Sequence, residues 1–295
     1  MNEKPTFTRA WWLAIRPRTL PAAASGVTMG SALAWHDGSF QILPAFAALL
    51  VALLLQIASN VANDVFDFER GADTPDRLGP LRVTQAGMLT PAQVKIGLGI
   101  IIGLAILFGL YLASLRGWTV ILIGAAAIVS AVAYTGGPYP LGYHGLGDVF
   151  VFLFFGLAAV AGTYFVHASS VSAAAWWMSV PIGLIVTAIL VVNNLRDIDS
   201  DRKAGKHTLA VRFGERGTKI EYILCMGFAY LLLPLLVLMK IIPVGGLLAW
   251  ISLPIAIRTL RVVLTQQGRP LNAALAGTGQ TAFLFSVFFW LGLLF

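Results

Sequence analysis

Runs of about 20 mostly apolar residues recur nine times along the chain, at roughly 19–36, 41–63, 93–115, 117–135, 147–168, 173–194, 219–239, 242–263 and 272–294. A helix of that length crosses the ~30 Å hydrocarbon core of a bilayer. The first run does not read as a cleavable leader, because Arg16 and Arg18 interrupt its start, Pro17 and Pro21 follow, and no small-residue cleavage site closes it. Residues 1–18 form an interfacial lead-in, in which Trp11 and Trp12 alternate with Arg9, Arg16 and Arg18 in a helix expected to hold its indoles at headgroup depth. The pattern predicts an all-α, polytopic membrane protein with nine transmembrane helices and a single transmembrane domain spanning 1–295.

Composition agrees. Hydrophobic residues make up 58% of the 295 positions and charged residues 11%, against roughly a quarter charged in a soluble domain, which excludes a disordered chain and an ordinary soluble enzyme. The single cysteine, Cys225, sits in an apolar run and excludes both an internal disulfide and a thiolate metal cluster. A net charge of +7 would suit nucleic acid, but the distribution of the charge speaks for a membrane. With nine spans, eighteen of the twenty Lys and Arg fall on the side of the N-terminus and of the loops after the second, fourth, sixth and eighth helices, leaving only Arg116 and Lys240 opposite. The positive-inside rule then gives an N-in, C-out topology with a basic cytoplasmic face. The expected partner is the lipid bilayer, with no role for nucleic acid.

The acids are concentrated further. Asp64, Asp67, Glu69, Asp73 and Asp76 lie between 64 and 76, and Asp197, Asp199 and Asp201 between 197 and 201, so that 8 of the 13 acids occupy 18 residues. Both clusters follow long apolar runs, the second and the sixth, and each is introduced by carboxamides. Positions three and four apart share a helix face, which puts Asn60, Asn63, Asp64 and Asp67 on one polar strip and Asn193, Asn194, Asp197 and Asp201 on another, with Asp199 pointing elsewhere. Carboxylates near membrane depth are costly and need a compensating cation. Carboxylate and carboxamide oxygens without nearby thiols are the hard ligands that suit Mg²⁺, which is commonly held by one or two carboxylates plus phosphate oxygens. Arg70, Arg77, Arg82, Arg196, Lys203 and Lys206 in the same loops then read as diphosphate partners. The alternative is a solvated loop with local ion pairs such as Asp197 to Arg202 or Arg196 to Asp201.

These residues carry a resemblance. Asn63-Asp64-Val-Phe-Asp67 followed by Gly71-Ala-Asp73, and Asn193-Asn194-Leu-Arg196-Asp197-Ile-Asp-Ser-Asp201-Arg-Lys-Ala-Gly205-Lys206, resemble the two Asp-rich motifs of the UbiA superfamily of intramembrane prenyltransferases. Arg16-Pro-Arg-Thr-Leu-Pro21, Arg77-Leu-Gly-Pro-Leu-Arg82-Val-Thr-Gln-Ala-Gly87, Tyr134-Thr-Gly-Gly-Pro-Tyr139-Pro-Leu-Gly-Tyr143-His144-Gly-Leu-Gly-Asp148, Lys206-His-Thr-Leu-Ala-Val-Arg212-Phe-Gly214 and Thr278-Gly-Gln280 are similar to its MenA branch, the 1,4-dihydroxy-2-naphthoate polyprenyltransferases. Where many members place an Asp four residues after the second of the first motif, this chain has Gly71, and Asp73 follows. The resemblance implies nine helices around a central cavity. It also implies Mg²⁺ held by Asp64, Asp67, Asp197 and Asp201, with Asn63 and Asn194 beside them. The implied reaction moves a polyprenyl group from its diphosphate to 1,4-dihydroxy-2-naphthoate, losing CO₂ and giving demethylmenaquinone, at the cytoplasmic side of a bacterial inner membrane.

The loop 135–147 is uncharged and broken by glycine and proline. Its Tyr139, Tyr143 and His144, with Tyr134 and Asp148 at its ends, are candidates for the aromatic acceptor's pocket, although interfacial tyrosines are also ordinary membrane anchors. Within the superfamily, 4-hydroxybenzoate or homogentisate as acceptor, or a phytyl donor, stay open. An ion-coupled transporter is the main rival from another class, but it predicts acids near mid-membrane on broken helices. A CDP-alcohol phosphotransferase would pack its acids in a compact motif that this sequence lacks.

Overall fold

The computed structural model describes residues 6–72 and 78–295, and among these every regular element is helical. Asp73, Asp76 and Arg77 lie outside the described residues. A short helix α1 (Phe7–Ile15) precedes α2 (Leu20–His36), α3 (Ile42–Glu69), α4 (Pro91–Arg116), α5 (Trp118–Ala133), α6 (Gly147–Ala168), α7 (Ala173–Lys203), α8 (Leu209–Leu238), α9 (Val244–Thr265) and α10 (Leu271–Gly292). Seven of these, α3, α4 and α6 to α10, are long and apolar enough to cross a membrane. The first and fourth expected spans also form helices, but α2 and α5 have only 17 and 16 residues.

Local chemistry sets the boundaries. Thr90-Pro-Ala-Gln93 forms a capping box at the start of α4, Thr90 accepting from the Gln93 amide and Gln93 from the Thr90 amide. Ser172 and Thr208 cap α7 and α8 in the same sense, each accepting from a backbone N–H three residues on. The α3 and α7 helices run past their apolar stretches to Glu69 and Lys203, so both acid strips are helical. The apolar Phe152–Ala161 section of α6 is wound as a π-helix.

Small residues let the helices approach closely, as packing inside a membrane requires. Gly156 of α6 meets Gly183 of α7 so nearly that a Cβ at Gly156 would stand 2.7 Å from the Ser179 carbonyl oxygen and 2.8 Å from the Gly183 Cα. Buried Met178, Ile182 and Ile185 of α7, Tyr222 and Leu233 of α8 and Phe285 and Phe289 of α10 fill the centre of one half of the bundle. There the Tyr222 hydroxyl bonds Thr278 at 2.9 Å and donates to Thr259 at 3.3 Å, joining three helices. A second cluster packs α1 against α3 and α4. Trp12 is exposed, as expected of a lead-in helix, whereas the Trp11 ring lies over Gly97 of α4 and fills the space a Cβ would take.

Gly156→Leu should force α6 and α7 apart, an overpacking cost of about 1–3 kcal/mol. A lowered thermal midpoint in detergent would report it, with Gly99→Leu as control, because nothing lies within 4 Å of a Cβ built there.

Candidate active site

The two acid helices stop in the same way. At the end of α3 the Ala72 amide bonds the Asp67 carbonyl at 2.9 Å and the Gly71 amide the Phe68 carbonyl at 3.0 Å. At the end of α7 the Lys206 amide bonds the Asp201 carbonyl at 2.9 Å and the Gly205 amide the Arg202 carbonyl at 3.2 Å. Both are Schellman motifs, closed by a glycine in the left-handed region, Gly71 at φ +69° and Gly205 at φ +72°. Asp67 and Asp201 therefore occupy equivalent places, four residues before their glycines, and Asn63 and Asp197 fall in register one turn earlier.

Each polar residue of the α3 strip holds a different neighbouring segment. The Asn60 side-chain amide donates to the Ile15 carbonyl and to Thr19 Oγ1, both at 2.9 Å, fixing the elbow that carries Arg16 and Arg18. Asn63 accepts from the Thr135 hydroxyl at 2.9 Å. Asp64, 1% exposed, accepts the backbone N–H of Val83 at 3.0 Å on one oxygen and that of Thr84 at 2.9 Å on the other. It thereby ties down the strap formed by residues 78–90. Asp67, also buried, accepts from Arg82 Nη2 at 3.0 Å and from the Tyr143 hydroxyl at 2.9 Å. Arg70 donates to the carbonyls of Thr135 and Gly137 and lies 5.6 Å from the centre of the Tyr143 ring.

On α7, Arg196 grips its neighbour Asp197 with two parallel bonds, Nε to Oδ1 at 2.8 Å and Nη2 to Oδ2 at 2.5 Å. Nη2 also donates to Asn193 at 2.9 Å and Nη1 to Asn272 of α10 at 2.6 Å. Its guanidinium is thus internal to the protein. Asp199 is exposed and pairs with Arg202 at 3.6 Å, so it belongs to the solvated surface. Asn194 is buried beside the strip.

Lys206 joins the two strips. Its ammonium is 3.5 Å from Asp67 and 3.6 Å from Asp201, and 4.7 Å from the centre of the Tyr143 ring. Two carboxylates from separate helices thus face one cation. Among the described residues, no three His, Cys, Asp or Glu side chains stand close enough to hold a metal by themselves, but a carboxylate pair with an anionic ligand is the arrangement Mg²⁺ commonly accepts. The donor set fits a hard divalent ion shared with phosphate oxygens.

Next to the strips lies a cavity of about 560 Å³ between α2, α3, α4, α5, α6, α7 and α10. Arg16, Arg18, Asn60, Asn63, Arg82 and Asn193 line its polar end, and side chains such as Val27, Phe154, Phe155 and Phe165 its apolar length. None of the four aspartates lines the cavity, and Arg82 joins Asp67 to its polar end. Ile106, Leu110 and Ile121 line the cavity and remain solvent-accessible, so it is open on the side of α4 and α5.

The acceptor candidates divide. Tyr134 lines the cavity and Tyr143 joins the acid centre. Tyr139, 57% exposed, stacks on His144 at 3.7 Å outside the cavity, and His144 is further held by a bond of its Nδ1 to the Pro140 carbonyl at 2.8 Å. Asp148 is buried, and among the described residues neither of its oxygens has a hydrogen-bond partner. Thr135, Asn272 and the strap amides were missing from the sequence-based set. The repeated Asp-x-x-x-Gly of 67–71 and 201–205 would have given the register, whereas nothing in the sequence marks Asn272.

The model of the UbiA prenyltransferase family matches residues 23–292. The chain belongs to this family. It is 38% identical over 293 residues to the 1,4-dihydroxy-2-naphthoate octaprenyltransferase of Escherichia coli (strain K12), covering 97% of this chain and 95% of that one. It is 40% identical to the protein of the same name from Mycobacterium tuberculosis (strain ATCC 25618 / H37Rv), over 91% of each. Its fold is that of the UbiA homologue from Archaeoglobus fulgidus bound to DMAPP and Mg²⁺, with a TM-score of 0.66 at 14% identity over 96% of this chain and 98% of that one. This member of the UbiA prenyltransferase family is therefore an integral membrane protein whose acid strips and cavity lie in the shared helical fold.

Replacing Asp64 with Ala should strand two buried backbone N–H groups, at about 1–3 kcal/mol each. Limited proteolysis is expected to cut within residues 78–90 faster in Asp64→Ala than in the parent, with the rest of the chain equally resistant.

Proposed function

We propose that the protein transfers a polyprenyl group from polyprenyl diphosphate to 1,4-dihydroxy-2-naphthoate, with loss of diphosphate and CO₂, to give demethylmenaquinone. The observation that carries this reading is the junction of a long apolar cavity with a polar end of arginines and carboxamides backed by two converging acid strips. Full-length kinship with two proteins named for this acceptor supports the choice of naphthoate over other aromatic rings.

Asp67 and Asp201 would hold the magnesium ion, with Asp64 and Asp197 one turn away fixing the strap and Arg196. When bound, Mg²⁺ neutralises the diphosphate as it departs. Arg82, Arg70 and Lys206 stand at the same end and add positive charge where negative charge develops. Arg16 and Arg18, which line the mouth, extend that field. Asn63 and Asn194 flank the carboxylates, and Arg77 completes the set read from the sequence. Arg196 acts at one remove, because Asp197, Asn193 and Asn272 already take its donors. Tyr134 faces the acceptor from the cavity wall and Tyr143 stands beside the acid centre, whereas Tyr139, His144 and Asp148 do not line the cavity. The apolar walls exclude water from the allylic carbon while it is electrophilic. The tail of the donor leaves the cavity along α4 and α5 into lipid.

The nine helices α2 to α10 cross the membrane as one domain with the N-terminus inside and the C-terminus outside, supported by the eighteen-to-two division of Lys and Arg. The active site then opens to the cytoplasmic side of a bacterial inner membrane. With Cys225 replaced by Ala, Gly38→Cys should react with a membrane-impermeant maleimide from outside and Gly268→Cys only after permeabilisation. The reverse pattern would invert the topology.

The reaction is tested with purified protein in nanodiscs given 1,4-dihydroxy-2-naphthoate and an all-trans polyprenyl diphosphate. Product should require Mg²⁺, vanish with EDTA, and fall at least about a hundredfold in Asp67→Asn and in Asp201→Asn, the scale of losing a charge that stabilises a transition state. Turnover of 4-hydroxybenzoate in place of the naphthoate would overturn the acceptor assignment.

A further inference from the structure

The Asn272 carboxamide sits where three separate parts of the site meet. Its oxygen accepts from Arg196 Nη1 at 2.6 Å, and its side-chain amide donates to the Leu78 carbonyl at 3.0 Å. Arg196 in turn grips Asp197, and its side chain is fully buried. Leu78 begins the strap whose Val83 and Thr84 amides bind Asp64 and whose Arg82 binds Asp67. Residue 272 lies in the first turn of α10, 76 positions from Arg196 and 194 from Leu78.

We propose that Asn272 is a positioning residue of the diphosphate site, a clamp that locks the strap of the first acid strip to the Arg196–Asp197 pair of the second. The inference rests on the prenyl-transfer reading for its kinetic consequence, but the clamp itself is a matter of hydrogen bonds. Both functions of the carboxamide are needed. Among the described residues, Asn272 is the only acceptor for Arg196 Nη1, so an apolar substitute leaves a buried charged N–H without a partner. Among the described residues, the donor arm is the one side-chain hydrogen bond that joins α10 to the strap. A carboxamide supplies acceptor and donor on one planar group, whereas Asp keeps the first and loses the second.

Hydrogen exchange and kinetics on the full-length protein in nanodiscs test this together. In Asn272→Ala, exchange at the Val83 and Thr84 amides should accelerate about tenfold or more, with peptides from α4 and α8 unchanged, as expected of local opening. KM for the prenyl diphosphate should rise about tenfold while KM for the naphthoate stays, because misplaced binding groups weaken the ligand they hold. Asn272→Asp should loosen the strap as the Ala variant does, and Asn272→Gln should restore part of both readouts.

Parent-like exchange at Val83 and Thr84 in Asn272→Ala would overturn the clamp, as would a uniform loss of protection through all helices. So would equal rises in both KM values. A loosened strap in the variants of a protein that turns over no naphthoate even as wild type would uphold the clamp and overturn the acceptor assignment instead.

Discussion

Carboxylates at the end of an apolar helix need partners, and most of the architecture around α3 is organised to supply them. Burying a carboxylate without compensation costs several kcal/mol, so the ends of α3 and α7 recruit every segment nearby. Asn60 draws in the elbow before α2, Asn63 the start of the 135–147 loop, Asp64 the strap, and Asp67 an arginine of the same strap, a tyrosine of the same loop and a lysine beyond α7. The loops that join the helices at this end are thus anchored to the polar strip.

The same constraint gives each carboxylate its own set of partners, and Asp67 keeps Arg82 and Tyr143 besides the lysine it shares. Asp64 and Asp197 have their oxygens engaged by backbone amides and by one guanidinium. Asp67 and Asp201 instead share the Lys206 ammonium across the gap between two helices. The two helix ends are built alike, each Schellman motif closing on the backbone carbonyl of its aspartate, Asp67 or Asp201.

The cavity completes the division of labour. Its charged residues cluster at one end and its length is apolar, which matches an amphiphile with a polyanionic head and a hydrocarbon tail. Helix α5 has no buried residue and lines the open side of the cavity. A long chain has somewhere to go without the bundle having to enclose it.

Much of this is legible in the sequence. Nine apolar runs fixed where helices would form, because backbone groups in lipid must bond within their own segment. Asparagine and aspartate at helical spacing marked the two strips before any fold was known, since i, i+3 and i+4 positions share a face whatever the tertiary structure. The departures are instructive. Arg196 reads as a phosphate ligand in one dimension, and in the fold its donors go to Asp197, Asn193 and Asn272, while Tyr139 and His144 stack on one another outside the cavity. Trp11 turns from the interface to cover a glycine. Asn272, with no charged or motif-forming neighbour, carries no signal at all, although it bonds residues 76 and 194 positions away. The sequence alone determined the helices, the charge asymmetry and the polar faces, because these depend on neighbours within a few residues. Only the tertiary structure decided which carboxylates share a cation and which hold the scaffold, because that depends on which donors the folded chain brings within about 3 Å of each oxygen.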